Sequence, residues 1–298
     1  MIDYGVFDSL PQKELMWIQA EGVDNLPHAH RSRMMNLSTH SGASGHYQRI
    51  EKILATNSFD IDLPDEKAES LYVVFPEISR FNHDCRPNAD YYFDLETLSQ
   101  HIHAIRPIAA GEEISITYID PVMSRSRRRQ KLHSIWGFQC SCSQCTQPDA
   151  MTDASDSRVR QIRSLRRQLE DYGPGSAATP QMAELLVSLH EQERLQGALC
   201  EAHALAAIEW NGAGEPWAAV RHARLAVEHG LASSGPADRD VVEMGRLAED
   251  PWGHWSWMLR TSKRMSWGRT GSGWEERGTR GGADSEEGGE ARGEVGVE

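Results

Sequence analysis

The chain has 298 residues, a formal net charge of −13 and 39% hydrophobic residues, values that suit a globular protein of one large or two modest domains. No stretch approaches the roughly 18 to 20 consecutive apolar residues of a membrane-spanning helix, and the start MIDYGVFDSL lacks a basic segment leading into an apolar run, so an unanchored intracellular protein is expected. The acidic balance argues against general nucleic-acid binding and suits a basic protein partner.

In chain order, residues 1–46 read as an irregular, loosely helical segment, with a short helix at "PQKELMWIQ" and interruptions at Pro11 and Pro27. "YQRIEKILATNSFDI" predicts a helix running into a turn. "LYVVFPEISRFNHDC" is a β-branched and aromatic run broken by Pro76. "ADYYFDL" and "QHIHAIRPI" alternate as two strands of an antiparallel pair joined around "ETLS", and "AAGEEISITYI" adds a turn and a third strand. After Pro121, "SRSRRRQKLHSIW" is helical in character and leads into "FQCSCSQC". The Pro, Asp, Ser and Thr-rich stretch "TQPDAMTDASDS" marks a domain boundary, with the linker itself at 149–157. Beyond it, residues 158–260 carry apolar residues at helical spacing. There Ala218, Ala219, Ala223 and Ala226 suggest the small-residue packing of tetratricopeptide-type helix pairs, without a clean repeat. Residues 261–298 are rich in Gly, Glu and Arg and poor in apolar side chains, a composition expected to stay disordered.

Five cysteines, three of them within "FQCSCSQC", argue against a secreted disulfide framework and for a metal site in a reducing compartment. Cys140, Cys142 and Cys145 form C-x-C-x-x-C, whose short polar spacers let three thiolates converge on one ion. Zinc is the natural candidate, and a structural zinc site takes four ligands in a tetrahedron, so one ligand is missing. Cys200 lies in an amphipathic helical pattern and reads as a small buried hydrophobe. Cys85 lies in "RFNHDCRPNADYY", between strand candidates.

"NHDCRPNA", then "GEEISITYID", then "WGFQCSCSQC" resemble, in order and spacing, the C-terminal half of a SET domain followed by a post-SET zinc cluster. The likeness is greatest to the branch of MYND-containing SET methyltransferases and their fungal SET relatives. The resemblance implies an α+β fold: a partial β-rich SET domain over 47–122, a post-SET helix and zinc cluster over 123–148, then the helical region and the tail. It implies Cys85 as the fourth zinc ligand beside Cys140, Cys142 and Cys145. It implies S-adenosylmethionine as cofactor, with Asn57, Asn82, His83, Tyr118 and Phe138 facing it, and Tyr118 as the catalytic residue that orients a lysine amine. The implied activity is methyl transfer to a lysine-bearing protein, histone or otherwise, in the nucleus or cytoplasm. Pro87 and Asn88 extend the N-H-x-C pattern, and Gly111, Glu112 and Glu113 match the family's turn before the catalytic strand. The family's N-terminal Gly-x-Gly strand has no counterpart here beyond "SGASG", and no cysteine precedes Cys85 to build a MYND finger. Reduced activity is therefore expected.

Two other readings stand beside this one. A zinc-stapled SET remnant could serve as an inactive interaction scaffold. The run Arg125, Arg127, Arg128, Arg129 and Lys131 beside the cysteines fits a nucleic-acid contact, or a solvated charged helix face. Trp252, Trp255 and Trp257 are expected in the core where the last helix docks.

Overall fold

The computed structural model describes residues 2–3, 9–61, 71–173 and 175–261. Apart from Thr261, the tail expected to be disordered lies outside them. Among the described residues, helices α1 (Gln12–Asp24), α2 (His28–Met35) and α3 (His46–Asn57) precede the first longer strands. Ala20, Val23, Met34, Ile50 and Ile53 close a small core between them. The helix expected to end in a turn instead passes directly into β2 (Ser58–Ile61), which pairs antiparallel with β3 (Leu71–Val74). β1 (Ile2–Asp3) lies on the other edge of β3.

β5 (Ala89–Asp94) and β6 (Ser99–Ala104) form the expected hairpin, in register from Ala89 opposite Ala104 to Asp94 opposite Ser99. The expected third strand is different from its reading. β7 (Ser115–Ile116) has two residues and leaves the hairpin to pair in parallel with β4 (Asn82–His83). Asn88 explains the departure. It is 1% exposed, and its amide donates to the Glu112 side chain at 3.0 Å and the Glu113 carbonyl at 2.8 Å while its oxygen accepts from the Ser115 N–H. That side chain takes bonds a neighbouring strand would otherwise make, and Gly111, at φ +84°, lets the chain turn toward β4.

α4 (Arg125–Trp136) starts on a Ser124 cap, whose hydroxyl accepts from the Arg127 N–H, and stops at Gly137 in the left-handed region. Residues 149–157, expected as a linker, are the first turns of α5 (Asp149–Leu169). Pro148 precedes the first turn, where a missing N–H does no harm, and Thr152 and Ser155 are buried on the inner face. Polar composition disguised an amphipathic helix whose buried side begins with small hydroxyl residues.

The helical region continues through α6 (Pro180–Gln192), α7 (Leu199–Gly212), α8 (Pro216–Ser233) and α9 (Arg239–Glu249). Ile162, Leu165, Leu169, Leu186 and Leu205 fill one core. Ala207, Ala219, Ala223, Ala226, Met244 and Leu247 fill a second, where alanines let α7, α8 and α9 approach closely. Cys200 is 5% exposed in that second core, as a small hydrophobe would be.

The tryptophan expectation holds only in part. Trp255 packs edge-on against Tyr172 and donates to Glu243 at 2.6 Å. Trp252 is 52% exposed, edge-on to Trp217, itself 75% exposed. The inward positions after α9 go to His254 and Ser256, which bond each other at 2.7 Å, and Ser256 bonds Asn211 at 2.9 Å. A satisfied polar pair thus occupies the place expected for indoles.

Candidate metal and cofactor site

β4, β7 and the segment after α4 converge at one corner of the fold. The Sγ atoms of Cys85, Cys140, Cys142 and Cys145 all lie within 4.8 Å of one another. Cys85 Sγ is 4.0 Å from Cys140 Sγ and 3.6 Å from Cys145 Sγ. Four sulfurs each about 2.3 Å from a tetrahedral zinc ion are about 3.8 Å apart, so the donor set, its separations and its free thiols fit a structural zinc ion. Backbone bonds from Cys142 O to the N–H groups of Cys145 and Thr146 curl the C-x-C-x-x-C segment so that its thiols face inward. Ile119 and Leu132 pack against the cluster, with Tyr118, Trp136 and Phe138 at its margin. Hydrogen bonds from Cys140, Cys145 and Cys85 pull the Cys142 thiol down, whereas Cys85, hydrogen-bonded to Cys140, Cys142 and Cys145, is pushed up.

His83 joins this cluster to Tyr118. The Tyr118 N–H donates to His83 Nδ1 at 3.0 Å, which leaves Nε2 carrying the proton, 3.3 Å from Cys85 Sγ. Burial, opposed by the negative charge of Cys142 and aided by Arg128, lowers the imidazole to about 4, so it is neutral near pH 7. Its ring lies 5.3 Å from Tyr118 and 6.2 Å from Phe138. The Tyr118 hydroxyl donates to the Phe81 carbonyl at 2.6 Å. Burial, then the charge of Glu113, pushes that phenol up, so it stays a donor.

Of the five residues expected to face a cofactor, His83, Tyr118 and Phe138 share one aromatic wall. Asn82 is exposed next to it, donating to Glu113 at 2.6 Å. Asn57 is buried at the end of α3, where its amide donates to the carbonyls of Ser38 at 2.9 Å and Ile53 at 2.7 Å. Trp136 bonds the neighbouring Thr56 carbonyl at 3.1 Å, which ties the end of α4 to the end of α3.

Two features were missed in the sequence. Arg128, read as part of a solvated charge run, is completely buried. Its spacing of four from Leu132 and eight from Trp136 was the available signal, since the three share one helix face. The second is Glu193, just past α6 and 2% exposed. Its carboxylate accepts from Arg86 at 2.8 Å, Ser155 at 2.7 Å and Arg158 at 2.6 Å, and its carbonyl accepts from Arg86 Nε. Gln144, between two of the clustered cysteines, bonds Ser155 at 2.8 Å. The residue after Cys85 and the loop holding Cys142 and Cys145 are thus anchored to the helical region by one buried carboxylate. No local pattern marks a pair 107 residues apart.

Residues 8–119 match the SET domain family. The chain is 39% identical over 94 residues to histone-lysine N-methyltransferase set5 of Schizosaccharomyces pombe, a match covering 32% of this chain and 27% of that protein. It is 42% identical over 76 residues to histone-lysine N-methyltransferase SET5 of Saccharomyces cerevisiae, covering 24% and 14%. With human histone-lysine N-methyltransferase SMYD3 it shares 29% identity over 152 residues, covering 50% and 35%. The chain therefore spans about a third or less of the length of these relatives. Among the described residues, no helix is long and apolar enough to cross a membrane.

Proposed function

Residues 8–119 belong to the SET-domain family, and on that basis we propose that the chain is a protein-lysine N-methyltransferase dependent on S-adenosylmethionine and stapled by zinc. One observation carries the reading: His83 hydrogen-bonds Tyr118 on one side and Cys85 on the other. The residues matched to the cofactor pocket and those matched to the metal site therefore form one unit.

Cys85, Cys140, Cys142 and Cys145 would hold the zinc ion, whose role is structural. Binding free energy at such a site is folding free energy, here spent on holding the Asn82–His83 segment beside Phe138. Asn57, Asn82, His83, Tyr118 and Phe138 would hold the cofactor, with the Phe138 ring offered to the adenine. When bound, S-adenosylmethionine supplies a methyl group made electrophilic by its sulfonium. The chain's own contribution is orientation rather than strong base chemistry. Tyr118 commits its proton to the Phe81 carbonyl, which leaves the phenolic lone pairs to accept from a neutral lysine amine and aim it. Trp136 and Phe138 flank the tyrosine ring. The substrate class is a lysine-bearing protein in the nucleus or cytoplasm. The relatives named as histone-lysine methyltransferases support that class, and the net charge of −13 suits a basic substrate.

A second reading, an inactive zinc-stapled scaffold, draws on residues 41–45. "SGASG" lies in bends between α2 and α3 rather than in a strand, so the described part of the pocket offers no glycine-rich strand to the amino-acid end of the cofactor.

Transfer of labelled methyl groups to a mixed protein lysate separates the two. Labelling by the wild type that falls at least tenfold in Tyr118→Phe is expected, about 1.4 kcal/mol or more of barrier. Absence of labelling under conditions where the wild type binds the cofactor would leave only the scaffold.

A further inference from the structure

Among the described residues, Arg128 is the largest fully buried side chain, with no exposed surface. Its flanking residues Arg127 and Arg129 face solvent, so the basic run on α4 is split: most of its charges point out, and one points in. A buried guanidinium needs an anion or a full set of acceptors, because a desolvated charge without them is severely unfavourable. The surroundings of Arg128 supply neither in the usual form. Its NH1 donates to the Met123 carbonyl, and its Nε has no hydrogen-bond partner. Among the described residues no carboxylate forms an ion pair with it. Arg86, also buried, is already matched by Glu193 at 2.8 Å.

The charges that favour the guanidinium are thiols, those of Cys85 and Cys145, and Leu132, one turn further along the same buried face of α4, packs directly against the four-thiol cluster. Those two thiols are 6% exposed or less, as is Cys140. A zinc ion bound by four thiolates carries two excess negative charges, which such a site must balance from within the protein. The orphaned cation and the uncompensated dianion are complementary, and the buried face of α4 that carries the cation also carries Leu132, which packs on the cluster.

We propose that Arg128 is the buried countercharge of the zinc–thiolate centre, a positioning residue that sets the affinity of the site for its metal. This rests on the zinc reading. It explains why a charged residue occupies a fully buried position in line with Leu132 and Trp136, where an apolar one would pack. It also gives α4 a task beyond connecting β7 to the cysteines: the helix delivers the charge that makes four thiolates tolerable at one point.

The test uses the full chain and competition for zinc with a chromophoric chelator, comparing the wild type with Arg128→Met, Arg128→Lys and Leu132→Ala. Methionine keeps the length and loses the charge. Losing a hydrogen-bonded charge is expected to weaken zinc about ten- to a hundredfold. Lysine restores the charge without the planar fork and should recover most of that loss. Leu132→Ala opens the same helix face without touching charge, and should lower thermal stability more than it lowers zinc affinity. Cobalt(II) substituted for zinc reads the ligand set by its sulfur charge-transfer bands, which should stay those of four thiolates in Arg128→Met. Zinc binding in Arg128→Met as tight as in the wild type overturns the assignment, as does a loss in Arg128→Lys equal to that in Arg128→Met. A wild type that takes up no zinc overturns the metal reading itself, and this assignment with it.

Discussion

Replacing Glu193 by alanine removes the buried carboxylate that joins Arg86, the residue after Cys85, and Gln144 to the helical region. Its side chain is 1% exposed and that of Arg86 is 3% exposed, so the variant leaves a guanidinium buried beside a small void. Breaking a buried pair in this way costs about 3–5 kcal/mol, more than the pair itself contributes, because the remaining charge is stranded. With a urea slope of about 3 kcal/mol per molar, the unfolding midpoint should fall by about 1–1.7 M. Urea titration followed by tryptophan fluorescence measures it. Glu193→Gln keeps the shape and part of the hydrogen bonding and should fall between the two. Acid gives a second readout. Burial alone would raise the Glu193 carboxyl, but hydrogen bonds from Ser155, Arg86 and Arg158 hold it below its ordinary value. Its stabilising contribution is therefore complete above the ordinary glutamate range, near pH 4.5, and is lost as pH falls through the folded-state value. The wild type should lose stability there and the Gln variant should lose less. A midpoint shift under about 0.3 M in Glu193→Ala, roughly 1 kcal/mol on the same slope, would refute the reasoning.

Gly235→Ala and Gly111→Ala should differ although both glycines have positive φ, +85° and +84°. A Cβ at Gly111 meets nothing within 4 Å, whereas at Gly235 it would lie 2.5 Å from the Tyr92 ring. The first should lose about 1–2 kcal/mol from backbone strain and the second a further ~1–3 kcal/mol from overpacking, read as thermal shifts. Burial raises Asp90 to about 6, so the native state holds its proton more tightly than the unfolded chain, and stability declines as pH rises from about 4 to about 6. Asp90→Asn should gain about 1–2 kcal/mol at pH 7 and nothing at pH 3.5; equal effects at both pH values would contradict this. Cys85→Ser should weaken zinc by at least a hundredfold, more than ~2.7 kcal/mol, measured by chelator competition, while Cys200→Ser should leave zinc affinity unchanged.

Much of the site was legible because its chemistry is local. Cys140, Cys142 and Cys145 suggest a metal-binding cluster by spacing alone, and the N-H-x-C motif offers a fourth thiol, which the fold brings to 3.6 Å from Cys145. The β5–β6 hairpin was equally readable, since alternation and a turn determine it together. Where reading failed, a distant partner decided the outcome. β7 was expected as a third strand, but its shrinking to two residues and its pairing with β4, where Asn88 bonds the segment leading into it, were not. The first turns of α5 looked like linker because Thr152 and Ser155, which face the interior, are small and polar, and Ser155 finds its partner, Glu193, 38 residues further along the chain. Arg128 was counted with its neighbours because composition records a charge run and not which face each charge takes.

The connection between Cys85 and the other three cysteines has a consequence for how the protein is assembled. Three thiols are neighbours along the chain, while the fourth is 55 residues before Cys140. Closing a flexible loop of that length carries an entropic penalty of about 3.5 kcal/mol by the three-halves logarithmic law. A newly made chain can therefore gather zinc on its local trio first and recruit Cys85 last, when β4 has come alongside β7. Metal supplied before refolding would act as a nucleus, and metal supplied afterwards would find a preformed cage. Refolding should be faster with zinc present from the start than with zinc added at the end, and equal rates would place the threading of Cys85 ahead of any metal.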